Sequence, residues 1–299
     1  MGYRNIFIEN NCSLAVRKSS LIIKNTEDTS IPLEDINCII IDNRMCNLTT
    51  CLLDEISKND ILLYICNEKH LPTTILLNTN SYCRQLKRLQ EQLEISKPLK
   101  KQLWQKIIVQ KVKNQAKCLQ ELKITNYEIL ENLSLKVLSG DATNIEAVAA
   151  AMYFKMLYGS RFTRKADSII NDALNYGYAI VRGMIARSLV SYGFETSLGL
   201  FHHNELNNFN LADDIIECFR PLVDLYITTT IPKEACELTS EVKKIILNVT
   251  NQLVLIDGKK YNIQTAIEYV VMSLSKTYKC GENCLVLPQL MSLKEYTFI

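Results

Sequence analysis

The chain has 299 residues, of which 47% are hydrophobic and 22% are charged, proportions close to the globular average. This length allows one large domain or two modest ones with a sizeable core, and the composition argues against a disordered chain. Because 34 basic and 32 acidic residues nearly cancel to a net charge of +2, any surface that binds nucleic acid must be local.

The first eighty residues consist mainly of short runs that favour β-strands. These runs are Arg4–Ile8, Ser13–Arg17, Ser20–Lys24, Ile36–Ile41, Ile61–Cys66 and Thr73–Leu77. One helix is predicted at Thr49–Lys58, where Leu52, Leu53 and Ile56 share one side. A polar break follows at residues 78–81. The pattern therefore predicts a β-rich N-terminal domain that ends at residue 80.

From Tyr82 onward, the apolar residues recur at intervals of three and four, which is the spacing of an amphipathic helix. We predict helices at Tyr82–Ile95, Pro98–Leu122, Asn144–Tyr158, Ser168–Tyr192, Leu211–Thr229 and Thr265–Tyr278. A small hairpin turn is expected at 256–259, which contains an Asp-Gly pair. The predicted class is α+β, with a small β-rich domain over residues 1–80 and a larger all-helical domain over residues 81–299.

The cysteines and the apolar runs indicate the compartment. The eleven cysteines are odd in number and lie mostly in apolar runs, as Cys38 and Cys66 do, which is typical of buried free thiols in a reducing environment. Cys280 and Cys284 are spaced C-x3-C without a second pair nearby, so chance is favoured over a zinc knuckle. The chain shows neither a signal-peptide pattern nor the roughly 18 apolar residues of a membrane span. We expect a soluble, cytoplasmic protein that does not enter a membrane.

Glu146 is the first candidate functional residue. It is followed by five small or apolar residues, so its helix can approach neighbouring elements closely. The alternative is a solvated glutamate in the first turn of a helix, where the helix dipole stabilises it. Considered alone, the residue favours that alternative.

Two of the three histidines, His202 and His203, are adjacent. Adjacent residues of a helix diverge by about 100°, so we expect one of them to face a given site. The alternative for either residue is a structural histidine held by hydrogen bonds.

Three acids follow at Asp213, Asp214 and Glu217. Carboxylates that converge repel each other unless a cation or a proton lies between them. The alternative is that one aspartate caps a helix and that Glu217 pairs with Arg220. Because the chain has no phosphate-binding glycine loop, dinucleotide fingerprint or serine nucleophile elbow, an acid–histidine–acid set remains, and such a set suits Mg2+ or Mn2+.

A basic segment extends from Lys97 to Lys117, with seven lysines and no acid. At 100° per residue, Lys106, Lys113 and Lys117 share one face of the predicted helix. The opposite side is apolar, with Leu103, Ile107, Ile108 and Val112. A charge run is usually a solvated face, but a run this long without an acid also favours phosphate binding. Arg164 and Lys165 are further candidates for contact with nucleic acid.

Three segments resemble the Cas1 family, the CRISPR-associated integrases, and are most similar to its type II members. They are GDATNIEAVAAAMYF at 140–154, SIINDALNYGYAIV at 168–181 and GLFHHNELNNFNLADDIIECFRPLVD at 199–224. The resemblance extends over essentially the whole chain. It implies that Glu146, His202 and Glu217 bind the catalytic metal, Mg2+ or Mn2+, and that Asp214 assists them. His202 rather than His203 matches the family histidine because it precedes Glu217 by fifteen positions.

The resemblance also implies partners. They are a second copy in a homodimer built through the β-rich domains, and the small protein Cas2 in a heterohexamer of two Cas1 dimers and one Cas2 dimer. Type II relatives further imply an effector nuclease and an accessory ring protein. The implied substrate is double-stranded DNA, a prespacer with 3′-hydroxyl ends that is joined to the CRISPR repeat by transesterification.

Three other functions stay open at the level of sequence. A stand-alone metal-dependent nuclease that cleaves branched or single-stranded DNA in repair would use the same three ligands. A non-catalytic DNA-binding scaffold would need the lysines but no converging acids. A helical phosphohydrolase for nucleotides would not need the lysine-rich segment.

Overall fold

The computed structural model describes residues 2–25, 27–78, 82, 84–232 and 235–295. Within these residues, contacts divide the chain into an N-terminal unit, 2–78, and a C-terminal unit, 82–295. The predicted boundary between residues 80 and 81 lies outside the described residues.

The described residues of the N-terminal unit form two four-stranded sheets, one α-helix and a single 3-10 turn at Leu33–Asp35. The strands are β1 (Arg4–Ile8), β2 (Ser13–Arg17), β3 (Ser20–Lys24), β4 (Thr29–Pro32), β5 (Ile36–Ile41), β6 (Asn47–Leu48), β7 (Leu62–Cys66) and β8 (Pro72–Leu76). The first sheet has the order β1-β5-β7-β8 and the second β4-β3-β2-β6. In the first sheet β5 pairs in parallel with β1 and β7, and all six of its residues are buried, as is typical of a parallel strand covered on both faces.

Helix α1 (Thr50–Lys58) completes this unit. The Thr49 side chain accepts a hydrogen bond from the backbone N–H of Leu52, so it caps the N-terminus. Leu52 and Ile56 are fully buried and belong to the core that the strands Ile36–Ile41 and Leu62–Cys66 also supply. The predicted β-rich pattern with one helix is therefore confirmed.

The C-terminal unit is mostly helical. Its helices are α2 (Gln85–Glu94), α3 (Lys97–Glu121), α4 (Glu128–Ser134), α5 (Ile145–Tyr158), α6 (Ile169–Ser191), α7 (Asn210–Ile216), α8 (Arg220–Thr230), α9 (Ser240–Leu247) and α10 (Ile263–Cys280). One antiparallel hairpin, β9 (Leu253–Ile256) and β10 (Lys259–Asn262), interrupts them. Its turn lies where the Asp-Gly pair predicted it, with positive φ at Asp257 and Gly258. The α+β class is confirmed, and the hairpin is the one strand pair in the described part of this unit.

Helix α3 crosses the C-terminal unit and contacts α4, α5, α7 and α8. Ser96 caps its N-terminus by accepting a hydrogen bond from Leu99, and Pro98 lies in its first turn. The four apolar residues predicted for its inner side, Leu103, Ile107, Ile108 and Val112, are all fully buried. Among the described residues, no helix combines the length and the apolar character that crossing a membrane requires.

The prediction of one continuous helix over Leu211–Thr229 is wrong. The segment forms α7 and α8, and residues 217–219 separate them. The break follows from Pro221, which lies in the first turn of α8. Proline has no N–H to donate to the carbonyl of residue 217, so a continuous helix would lose this hydrogen bond and place the ring against that carbonyl. Glu217 therefore lies at a junction between two helices.

Candidate active site

Glu146 is the second residue of α5, and a buried acid holds the start of this helix. The carboxylate of Asp141 accepts the backbone N–H of Ile145 at 2.9 Å and that of Glu146 at 3.0 Å. Two of the N–H groups that lack partners in a helix N-terminus are satisfied in this way. The first turn is fixed as a result, and the Glu146 side chain remains 31% exposed.

The partner of Glu146 is a buried lysine. Lys111 lies in the middle of α3 with its side chain only 7% exposed, and its Nζ atom donates to Oε1 of Glu146. The same Nζ lies 2.5 Å from Oε2 of Glu217. Burial lowers the pKa of Lys111, but the two carboxylates outweigh that effect and raise it above its ordinary value. The lysine is therefore charged and joins the two glutamates.

Glu217 has a second cationic partner. Nε of Arg220, the first residue of α8, donates to its Oε1 at 2.8 Å, which is the pairing considered as the structural alternative. Burial raises the pKa of Glu217, whereas the charges of Arg220 and Lys111 lower it to a net value of about 2. The buried Oε2 accepts no hydrogen bond of good geometry from the described residues, so its interaction with Lys111 is an ionic contact.

Asp214 holds the loop that carries His202. It is fully buried in α7 and accepts backbone N–H groups from Leu200 at 2.5 Å, Phe201 at 3.2 Å and His202 at 3.1 Å. Nδ1 of His202 lies 2.8 Å from Oδ1 of Asp214. A carboxylate oxygen accepts, so Nδ1 carries the hydrogen in this pair. The other ring nitrogen, Nε2, is then left to bind a ligand.

The tightness of this loop requires glycine at position 199. A Cβ atom on Gly199 would lie 2.2 Å from the carbonyl oxygen of His202 and 2.8 Å from Oδ2 of Asp214. Both distances are too short for a carbon atom, so any other residue would displace the loop. The glycine therefore allows the backbone to wrap around the Asp214 carboxylate.

His202 and His203 face different surroundings. The His202 ring makes edge-to-face contacts with Trp104 and Phe201, at 5.7 and 5.8 Å between ring centroids, and it borders a cavity with Asp213. His203 is exposed, and its Nδ1 donates to the Phe201 carbonyl at 2.8 Å. It lines a separate cavity. The hydrogen bond to Asp214 raises the pKa of His202, burial lowers it, and the net change is upward.

The structure therefore brings Glu146 and Glu217 to one cation, Lys111, and places His202 within electrostatic range of Glu217. In the described part of the chain, no three side chains of His, Cys, Asp or Glu are grouped closely enough to form a metal cluster. Carboxylate oxygens are nevertheless the donors that Mg2+ and Mn2+ prefer, and a nearby imidazole shifts the preference towards Mn2+. Glu146, Glu217 and His202 therefore fit a divalent ion that would neutralise the two carboxylates in place of the Lys111 ammonium group.

Asp213 and the three lysines predicted to contact phosphate differ in exposure and in ion pairing. Asp213 pairs with Arg182 at 2.7 Å and caps no helix. Lys106 and Lys113 are exposed on α3, and Nζ of Lys106 also donates to the Leu285 carbonyl. Lys117 is half-buried and ion-paired with Glu121 at 2.7 Å. Two of the three predicted phosphate ligands are thus exposed, and the third is partly neutralised.

Arg164 and Lys165, the other two candidates for contact with nucleic acid, differ in their contacts. The guanidinium of Arg164 donates to the side-chain oxygens of Asn171 and Asn175, both at 2.6 Å, and lies over the rings of Phe154 and Tyr178. This arginine therefore holds the start of α6 to its surroundings. Lys165 is exposed.

Sequence reasoning did not single out Lys111. The signal was present, because Lys111 follows Ile107 by four residues and Ile108 by three, and so falls within the apolar stripe of α3. A lysine on the buried side of a helix is almost always paired with an acid. The partner acids are 35 and 106 residues away in sequence, and nothing in the local pattern identifies them.

Comparisons with known proteins identify the family of the chain. The profile of the family described as CRISPR associated protein Cas1 matches residues 6–256. The CRISPR-associated endonuclease Cas1 of Neisseria meningitidis serogroup C is 41% identical over 307 residues, which cover all of both chains.

Two solved structures share the fold at low identity. A casposase bound to integration product has a TM-score of 0.78 and 20% identity, over 94% of this chain and 92% of that one. A Cas6-RT-Cas1–Cas2 complex has a TM-score of 0.72 and 17% identity, over 96% of this chain and 36% of that one. Because the family profile covers most of the chain and a full-length relative is well above 30% identical, this chain belongs to the CRISPR-associated Cas1 family.

Proposed function

We propose that this Cas1 protein is a metal-dependent DNA integrase and endonuclease of CRISPR adaptation, which joins the 3′-hydroxyl ends of a prespacer to the CRISPR repeat together with Cas2. Family membership supports nuclease and integrase activity in general. The observation that carries the metal-dependent chemistry is the convergence of Glu146 and Glu217 on one buried positive charge. A scaffold that only binds DNA has no need for such an arrangement.

In this proposal Glu146, His202 and Glu217 hold Mg2+ or Mn2+. When bound, such an ion polarises the attacked phosphate and stabilises the leaving oxygen. Glu217 is anionic at neutral pH because its pKa lies at about 2. Asp214 orients His202 through Nδ1 and leaves Nε2 as the nitrogen ligand. Transesterification then needs no covalent bond between the protein and the DNA.

Strand transfer into a plasmid that carries a repeat tests the proposal. Glu146→Gln and Glu217→Gln each keep the side-chain size but remove a negative oxygen, so transfer should fall by at least about 100-fold, the cost expected for losing a transition-state contact of about 3 kcal/mol. Glu128→Gln is the matched control, because Glu128 is exposed at the start of α4. Full activity in both site variants would contradict the assignment of these ligands.

The same assay separates the alternatives. A stand-alone repair nuclease would cut branched or single-stranded DNA with the same residues but would not join ends to the repeat, with or without Cas2. A non-catalytic scaffold would show no strand transfer, and its DNA binding would be the same in the wild type and in the glutamine variants. A nucleotide phosphohydrolase would release phosphate from free nucleotides at a rate that DNA does not affect.

Assembly is a further part of the proposal. We propose a homodimer built through the N-terminal units and a heterohexamer with Cas2. The likeness to part of a chain in a Cas6-RT-Cas1–Cas2 complex supports the partnership with Cas2. Resemblance to type II members extends the proposal to an effector nuclease and an accessory ring protein. Light scattering at micromolar concentration should give a dimer mass alone and a larger mass with Cas2. A monomer mass in both samples would contradict the assembly and favour the stand-alone nuclease.

A further inference from the structure

A second cavity lies beside the His202 loop, on the side where His203 is found. It has a volume of about 280 Å³ and is lined by Lys97, Lys100, Lys101, Trp104, Phe201 and His203. Small-molecule sites usually have volumes of about 300–1,000 Å³, so this cavity lies just below the lower end of that range and suits a small ligand such as part of one nucleotide. None of the candidate metal ligands lines it.

One wall of the cavity is an aromatic platform. The rings of Phe201 and Trp104 are stacked, 4.3 Å apart and within 2° of parallel. Trp104 is buried, whereas Phe201 is 49% exposed. A rigid aromatic ring that is backed on one face and exposed to a cavity is the type of surface on which a nucleobase stacks.

The rest of the lining is basic. Lys97 and Lys101 are exposed, and Lys100 makes only a long contact, 3.5 Å from its Nζ to the Gly199 carbonyl. No acid is found among the described residues that line the cavity or in the first turn of α3. Three like charges at the positive end of a helix repel one another and the helix dipole. An anionic ligand would offset both effects.

We propose that this cavity binds one unpaired nucleotide of a DNA strand, with its base stacked on Phe201 and its phosphate held by Lys97, Lys100 and Lys101. An unpaired nucleotide is required because the faces of a base within a duplex are covered by the neighbouring bases. The inference rests on the proposed function, since the nucleotide belongs to the strand that the protein joins. The platform also contacts the His202 ring, so the bound base would lie beside the catalytic histidine.

Fluorescence of 2-aminopurine tests this site without catalysis. The base is placed in a short single-stranded 3′ overhang on a duplex, and binding is measured in EDTA with the full-length protein. Stacking should quench the fluorescence. Phe201→Leu should weaken binding of the overhang by about 5- to 160-fold, the range expected for the loss of one base–aromatic stack, and should abolish the quenching. Phe201→Tyr should preserve both.

A lysine variant and a matched control test the proposed phosphate contact. A Lys97→Gln, Lys100→Gln, Lys101→Gln variant should lose affinity for the overhang more than for a blunt duplex, whereas Lys136→Gln, an exposed lysine beyond α4, should lose neither. Wild-type quenching in Phe201→Leu, or equal losses for overhang and blunt duplex, would overturn the proposal.

The proposed function and this site can fail separately. If the wild type quenches the overhang but transfers no strand to the repeat, the integrase proposal fails and the nucleotide site stands. If the wild type transfers strands and Phe201→Leu binds the overhang normally, the integrase proposal stands and the nucleotide site fails.

Discussion

The Nζ atom of Lys111 lies 2.5 Å from Oε2 of Glu217, and the same ammonium group donates to Oε1 of Glu146. One lysine therefore balances both glutamates that would bind a metal ion. Buried carboxylates that converge without a cation repel each other, so Lys111 keeps the acids together when no divalent ion is bound. A bound ion would compete with the ammonium group for the same oxygens.

Replacement of Lys111 should make the stability of the protein depend on metal. Lys111→Met removes one partner of a buried charge cluster, which should cost about 3–5 kcal/mol in EDTA. Mn2+ should restore part of that loss and should raise the melting temperature of the variant more than that of the wild type. Lys113→Met, an exposed lysine on the same helix, is the control. Equal melting shifts in the wild type and Lys111→Met would show that the lysine and the ion do not share the site.

Substitution of Asp214 should reduce stability and metal affinity far more than substitution of the neighbouring Asp213. Asp214→Asn places an NH2 group, or a single oxygen, against three backbone N–H groups and the His202 ring. Each buried donor left without a partner costs about 1–3 kcal/mol, and a lost contact behind a metal-bound histidine costs about 10–100-fold in affinity or activity. Asp213→Asn alters a half-buried pair with Arg182 and should have a much smaller effect. Thermal melting and Mn2+ titration measure both variants, and similar losses would contradict the role of Asp214.

Asp224 should make stability depend on pH in an unusual direction. It is fully buried in α8 and accepts hydrogen bonds from the hydroxyl groups of Tyr153 and Tyr178. Burial raises the pKa of Asp224, the two tyrosines lower it, and the net value is about 6, against 3.8 for an ordinary aspartate. The folded state therefore holds the proton more tightly than the unfolded state.

The contribution of Asp224 to stability therefore decreases as pH rises. Because the unfolded chain releases the proton near pH 4 and the folded protein near pH 6, this group stabilises the fold fully below pH 4 and loses that contribution as pH rises to 6. A shift of about two units corresponds to about 3 kcal/mol. Asp224→Asn should remove this slope, so the difference in free energy of unfolding between variant and wild type should change by that amount from pH 4 to 6.5. Urea unfolding at several pH values measures it, and a constant difference would contradict the prediction.

The lysines of α3 should contribute unequally to DNA binding. Each phosphate contact lowers the slope of log affinity against log salt by about 0.9 for duplex DNA. Lys106→Gln and Lys113→Gln should therefore each reduce the magnitude of the slope by up to that amount, for any DNA sequence. Lys117→Gln should change it less, because Glu121 already neutralises Lys117. A triple variant with an unchanged slope would show that these residues are a solvated surface.

The sequence by itself determined the elements and the candidate ligands. Runs of β-favouring residues identified six strands of the N-terminal unit, and apolar spacing of three and four identified most of the long helices. The short strands β4 and β6 were not predicted. The short helices α4 and α9 were not predicted, since seven or eight residues carry few repeats of the period. The break before Pro221 was missed because the apolar spacing continues across it.

Only the tertiary structure decided how the charges of the site are arranged. Lys111 lies on α3, Glu146 lies on α5 and Glu217 lies at the junction of α7 and α8. These parts of the chain meet through burial of apolar faces that are distant in sequence, and sequence spacing carries no information about such contacts. The same holds for Asp214, whose role depends on a loop that wraps around its carboxylate at Gly199. Local patterns follow from the geometry of one helix or strand, whereas the pairing of buried charges depends on which elements pack together across the whole unit.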